Sequence, residues 1–135
     1  FLVVGLSEAD REELQSRAAE NVLLSGYETQ EELLAHYQKA KVYCQLSYRE
    51  SFGMALVEAM ACGCAPVVTE RGALPEVVGD SGYYVPYGNI RAAAEAIEKA
   101  LSSKRGLKAR ERVEEKFSLK KREQELRSLL EGLSR

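Results

Sequence analysis

Two glutamates define the chemistry this sequence could perform. Glu50 opens the stretch Glu50-Ser51-Phe52-Gly53, and Glu58 sits further on inside the apolar run Leu56-Val57-Glu58-Ala59-Met60. A carboxylate with such flanks is costly unless it is paired or faces a cleft. A small-residue turn that opens a helix presents free N–H groups and the positive end of the helix dipole, which together make an anion site. Gly53 would let the backbone approach a phosphate closely. The five-residue step from Gly53 to Glu58 is roughly 7–8 Å along a helix axis. That suits the separation between a nucleotide's phosphates and its ribose, whose adjacent hydroxyls one ionised carboxylate can accept together. Glu50, at the mouth of the turn, could accept hydroxyls of a sugar. Each acid also has a plainer reading: Glu50 as a dipole partner, Glu58 as half of a structural ion pair.

Short apolar runs and longer amphipathic segments would position these groups. Phe1–Val4 reads as a buried strand, and Val22–Leu24, Val42–Leu46, Ala65–Thr69 and Tyr83–Val85 read as further strands. Between them, Ser7 caps a helix to about Glu20, and Thr29 and Glu32 have capping-box spacing for a helix reaching Ala40. Phe52–Cys62 is apolar almost all round and reads as a buried helix. Charged amphipathic helices follow at about 90–103, 107–116 and 119–132. Strand–helix alternation of this kind predicts an α/β fold, a Rossmann-like parallel sheet with helices on both faces and right-handed crossovers. Ligands then sit beyond the carboxyl ends of the strands.

Composition narrows the partners. The 135 residues suit one domain, 1–135, with C-terminal helices from about 106. Nineteen basic residues against 21 acidic ones argue against a general nucleic-acid or anionic-membrane surface. Cys44, Cys62 and Cys64 lack both framework spacing and a zinc pattern, so small buried residues in a reducing, cytoplasmic setting are expected, with no metal. No apolar run approaches the roughly 20 residues of a membrane helix.

The stretch Glu50-Ser51-Phe52-Gly53-Met54-Ala55-Leu56-Val57-Glu58-Ala59-Met60-Ala61-Cys62-Gly63 closely resembles the E-x7-E signature of GT-B glycosyltransferases of family four. The likeness continues through Ala65–Thr69, Gly72–Val78 and Ser81–Val85, and upstream over Val22–Ala40. It implies a partial C-terminal, donor-binding domain of a retaining enzyme that moves a hexose from a sugar nucleotide, such as a UDP- or GDP-hexose, to an acceptor hydroxyl. It also implies roles. Glu50, the first glutamate of the motif, would be the catalytic residue and would contact the donor sugar. The backbone of Ser51, Phe52, Gly53 and Met54 would hold sugar and diphosphate. Glu58 would hold the ribose, with Leu56 and Val57 beside it. No cofactor or metal is implied, because backbone dipoles and basic residues stabilise the leaving diphosphate.

Departures shape the remaining expectations. Arg71-Gly72 stands where the family usually has Gly-Gly; Arg71 would reach a phosphate or simply be solvated. His36 reads as structural or exposed. The family's Gly-Arg and Lys of an earlier strand, and its acceptor-binding N-terminal domain, have no counterpart in these residues, so the chain by itself is expected to be inactive. A missing central strand would leave Phe1–Val4 and Val42–Leu46 to meet directly, to be bridged by another chain, or to be completed by residues outside these 135. The strand edge or the last helix (Leu119, Leu126, Leu129, Leu130, Leu133) would then support self-association. The alternative is a non-catalytic sugar-nucleotide module completed by a separate acceptor-binding chain. A dinucleotide-dependent oxidoreductase is disfavoured, because Gly5-Leu6-Ser7 breaks the G-x-G-x-x-G pattern.

Overall fold

Every residue of the strand Ala65–Thr69 is buried, and the larger part of the molecule is built around it. The computed structural model describes residues 1–133. Its elements run β1 (Leu2–Val3), α1 (Glu8–Gln15), β2 (Leu23–Leu24), α2 (Gln30–Lys39), β3 (Val42–Gln45), α3 (Met54–Ala61), β4 (Ala65–Thr69), α4 (Leu74–Val78), β5 (Tyr83–Val85), α5 (Ile90–Leu101), α6 (Arg105–Lys116) and α7 (Leu119–Leu133). All strand pairs are parallel, as the alternation predicts. The short helix α4 is an addition to the elements expected; its start at Leu74-Pro75 has proline in the first turn, where no amide is needed.

The strands fall into two ladders, β1–β2 and β3–β4–β5. The chain correspondingly gathers into two compact units, Phe1–His36 and the remainder from Tyr37.

In the first unit, local capping does most of the ordering. The Ser7 hydroxyl accepts the Asp10 amide, and Thr29 and Glu32 exchange reciprocal bonds of 2.8 and 3.3 Å, as the capping box requires. The Thr29 amide, and after it the Thr29 hydroxyl, donate to the Glu32 carboxylate and hold it below its ordinary range. His36 pairs with Glu28 at 2.9 Å, a structural role. β1 departs from its reading as a buried strand: Phe1, Leu2 and Val3 are all exposed. A two-stranded ladder has too few neighbours to cover both of its faces.

In the second unit, side chains of β4 alternate between two faces, and each face has its own core. Val68 joins Leu56, Met60, Leu74, Val77, Val78, Ala109 and Val113 under α3, α4 and α6. Ala65 and Val67 join Val85, Ala93, Ala96 and Ala100 under α5. Each fully buried Leu or Val in these clusters contributes about 1.5–3 kcal/mol. Helix α6 also ties down the turn around α4. Arg112 donates to the Val77 and Glu76 carbonyls (both 2.7 Å), Arg105 donates to the Asp80 and Gly82 carbonyls, and Lys108 pairs with Asp80 at 2.6 Å. No described helix is long and apolar enough to cross a membrane. On α7 no residue is fully buried.

The packing of α6 on α3 depends on one missing side chain. A Cβ at Gly106 would overlap the Gly63 carbonyl oxygen, whereas one at Gly132 would meet nothing. Gly106→Ala is expected to lower stability by roughly 1–3 kcal/mol through overpacking. Gly132→Ala should be neutral or slightly stabilising, since alanine is the better helix former. Urea denaturation of the two variants checks the pair; equal midpoints would contradict the close approach.

Candidate functional site

The parallel ladder β3–β4–β5 sends three loops to one end of the sheet: 46–53, 70–73 and 86–89. The first loop carries the acidic motif. Gly53 caps α3 from a left-handed conformation (φ 86°), which glycine adopts without strain, and no side chain caps the helix. Its carbonyl accepts the Val57 amide at 3.0 Å, so α3 begins where the motif predicts. The amides of Gly53 and Met54 have no acceptor among the described residues.

The two amides before them are engaged. The Glu50 carboxylate accepts the Ser51 amide at 3.0 Å and the Phe52 amide, more weakly, at 3.5 Å. Its other oxygen accepts Gln45 Nε2 at 3.2 Å. Gln45 in turn donates to Ser47 at 2.8 Å and accepts the Tyr43 hydroxyl at 3.1 Å. Glu50 is thus the terminus of a polar chain along β3 and already acts as the anion at this helix entrance. Of the expected row of free amides, only the part from Gly53 onward is open.

Glu58 is exposed and has no hydrogen bond or ion pair from its carboxylate among the described residues. The structural ion pair considered for it is therefore not formed. Helix α3 is not buried all round, as its sequence suggested. Leu56, Val57, Ala59 and Met60 form the buried face, while Met54, Glu58 and Ala61 lie exposed at i, i+4 and i+7 spacing. This open stripe explains how the acid is accommodated. Val57 and Leu56 belong to the core cluster, and the Phe52 ring packs edge-on against Phe117 at 5.6 Å.

Tyr43 links the two acids electrostatically. Burial, followed by the neighbouring Tyr37 and the negative charges of Glu50 and Glu58, pushes its hydroxyl up to about 12. Both carboxylates thus act on one phenol.

The cleft at this end of the sheet lies to the side of the motif. A volume of about 760 Å³ is lined by Tyr48, Arg49, Glu70, Arg71, Gly72 and Tyr87, among others, and by neither Glu50 nor Glu58. It shares a wall with the Glu50 turn. The Ala73 amide donates to the Glu50 carbonyl at 3.1 Å, and a Cβ on Gly72 (φ 58°) would overlap that same carbonyl. Arg71 is neither bound to a described acceptor nor merely solvated: its guanidinium lies 4.7 Å over the Tyr48 ring and 5.6 Å over the Tyr87 ring. Sequence reasoning passed over Tyr48, Arg49, Glu70 and Tyr87. Their only signal was position, immediately after three successive strands.

A sequence profile for glycosyl transferases group 1 matches residues 1–118. The chain belongs to that family. It is 40% identical over 83 residues to the N-acetyl-alpha-D-glucosaminyl L-malate synthase of Bacillus anthracis, covering 56% of this chain and 22% of that protein. It is 42% identical over 81 residues to a D-inositol 3-phosphate glycosyltransferase of Streptomyces bingchenggensis, covering 58% and 18%. Among solved structures, sucrose-phosphate synthase from Thermosynechococcus elongatus superposes on 98% of this chain and 38% of its own, with TM-score 0.82 and 28% identity. The fold is that of these glycosyltransferases. The chain spans about a fifth of the length of the two curated relatives.

The coupling at Tyr43 is measurable. Because its folded pKa is raised, stability drawn from the protonated phenol is complete below pH 10 and is lost as pH rises toward about 12. Glu50→Gln and Glu58→Gln should each bring the Tyr43 midpoint down in an alkaline titration followed by tyrosine ring ¹³C NMR. An unmoved midpoint in both variants would show that the carboxylates do not share its surroundings.

Proposed function

We propose that this chain holds the sugar-nucleotide donor of a retaining hexosyl transfer, with Glu50 at the donor sugar and Glu58 at the ribose. The observation that carries the reading is the exposed Glu58 carboxylate, unpartnered among the described residues and one turn beyond the uncapped amides that open α3. An ionised acid so placed is a ready acceptor for two adjacent hydroxyls. The Gly53 and Met54 amides, with the dipole of α3, would take a diphosphate oxygen. A bound diphosphate would compete with Glu50 for the Ser51 and Phe52 amides. Released from them, Glu50 would be free to accept a sugar hydroxyl while Gln45 keeps hold of its second oxygen. Val57 contributes through its backbone, since its side chain is in the core.

The match to glycosyl transferases group 1 supports the reaction class, and the E-x7-E spacing supports retention of configuration. No metal or resident cofactor enters the reading. An acceptor-binding domain or chain is the proposed partner, and the isolated 135 residues bind donor without turning it over. Three unbridged cysteines fit a cytoplasmic setting.

Isothermal titration with UDP- and GDP-hexoses, run beside a turnover assay, tests the division of labour. Binding without turnover is the expected result; turnover by the isolated chain would contradict it. Glu58→Gln should weaken nucleoside diphosphate binding by about tenfold, the cost of a charged hydrogen bond, with the fold intact. Glu50→Gln should weaken the sugar nucleotide more than the bare nucleotide. Equal losses for both ligands would remove Glu50 from the sugar.

A further inference from the structure

The cleft beside the motif has chemistry of its own. Its floor is a stack: the Tyr48 and Tyr87 rings meet edge to face at 5.1 Å, and the Arg71 guanidinium lies over both. A cation held near aromatic rings is attracted by their quadrupoles without using up its N–H donors on an acceptor. Among the described residues, neither Arg71 nor Arg49 has a hydrogen-bond acceptor or a carboxylate within pairing distance. One guanidinium is therefore held by two rings with its donors unclaimed among the described residues, beside a second that is likewise unpaired there. Such an arrangement is pre-organised for a bidentate oxyanion.

Glu70 limits what that oxyanion can be attached to. Its carboxylate lines the same cleft and is also unpaired among the described residues. Two cations against one anion leave a single excess positive charge, which disfavours a polyanion. The acid offers acceptors for hydroxyls, and the tyrosines offer apolar faces and phenol donors. We propose that the cleft is a second ligand site, for a sugar bearing one phosphate or carboxylate group. Arg71 and Arg49 grip the oxyanion, and Glu70 takes ring hydroxyls. The site stands apart from the donor reading, because none of its named side chains belongs to the acidic motif. Through Gly72 and the Ala73–Glu50 hydrogen bond it abuts the motif turn, so its occupant would lie next to the donor.

Arginine Nε–Hε NMR signals of the chain, followed through titrations with glucose 6-phosphate, glucuronate, inorganic phosphate and glucose, test the site. Glucose 6-phosphate or glucuronate should move the Arg71 signal saturably, and more tightly than inorganic phosphate or glucose. Arg71→Gln and Arg71→Lys should each weaken that binding by roughly tenfold or more, the cost of a lost charged hydrogen bond. Arg127→Gln, the same loss of charge on α7, should leave it unchanged. The proposal fails if neither sugar anion saturates, or if inorganic phosphate binds as well as they do. It also fails if Arg71→Lys retains full affinity, which would mean that charge alone suffices. Displacement of glucose 6-phosphate by UDP-glucose would assign the cleft to the donor and overturn the proposal as well.

Discussion

Parallel pairing of β4 with β3 on one side and β5 on the other is the constraint from which the second unit follows. A parallel strand must be covered on both faces, because each connection returns over the sheet as a helix. The run Ala65-Pro66-Val67-Val68-Thr69 meets that requirement by feeding alternate residues into two cores. The same pairing places the ends of all three strands together. Loops separated by some forty residues of sequence thereby become neighbours, and every candidate functional group discussed above sits in one of them or on the helix that the first one opens.

Glycine then determines how closely those loops approach. Gly72 has a left-handed backbone and no room for a Cβ against the Glu50 carbonyl. Its presence lets the second loop close on the first through the Ala73 amide. Gly106 does the same on the opposite side of α3, where α6 meets the Gly63 carbonyl. Helix α3 is thus flanked at both ends by close backbone approaches that a side chain would push apart.

The two acids differ in what surrounds them. Glu50 is embedded in a hydrogen-bonded chain with Gln45, Ser47 and Tyr43, and it occupies amides that an incoming anion would claim. Glu58 is open. One acid is therefore tied into its surroundings while the other has no such partners among the described residues, a division that follows from their places before and after the start of the helix.

Much of this was legible in the chain. Local signals mark the elements: the Ser7 cap, the Thr29–Glu32 box, the apolar strand runs and the glycine that opens α3 are short-range effects whose physics is complete within a few residues. The family likewise follows from an ordered string of residues around Glu50 and Glu58. Other features needed the third dimension. The exposure of β1, the outward stripe of Met54, Glu58 and Ala61, and the division of the strands into two ladders depend on which neighbours exist to cover a surface. The stack of Arg71 on Tyr48 and Tyr87 joins residues from three separate loops. No periodicity encodes such a meeting, because it arises only when the strands ahead of those loops pair in register.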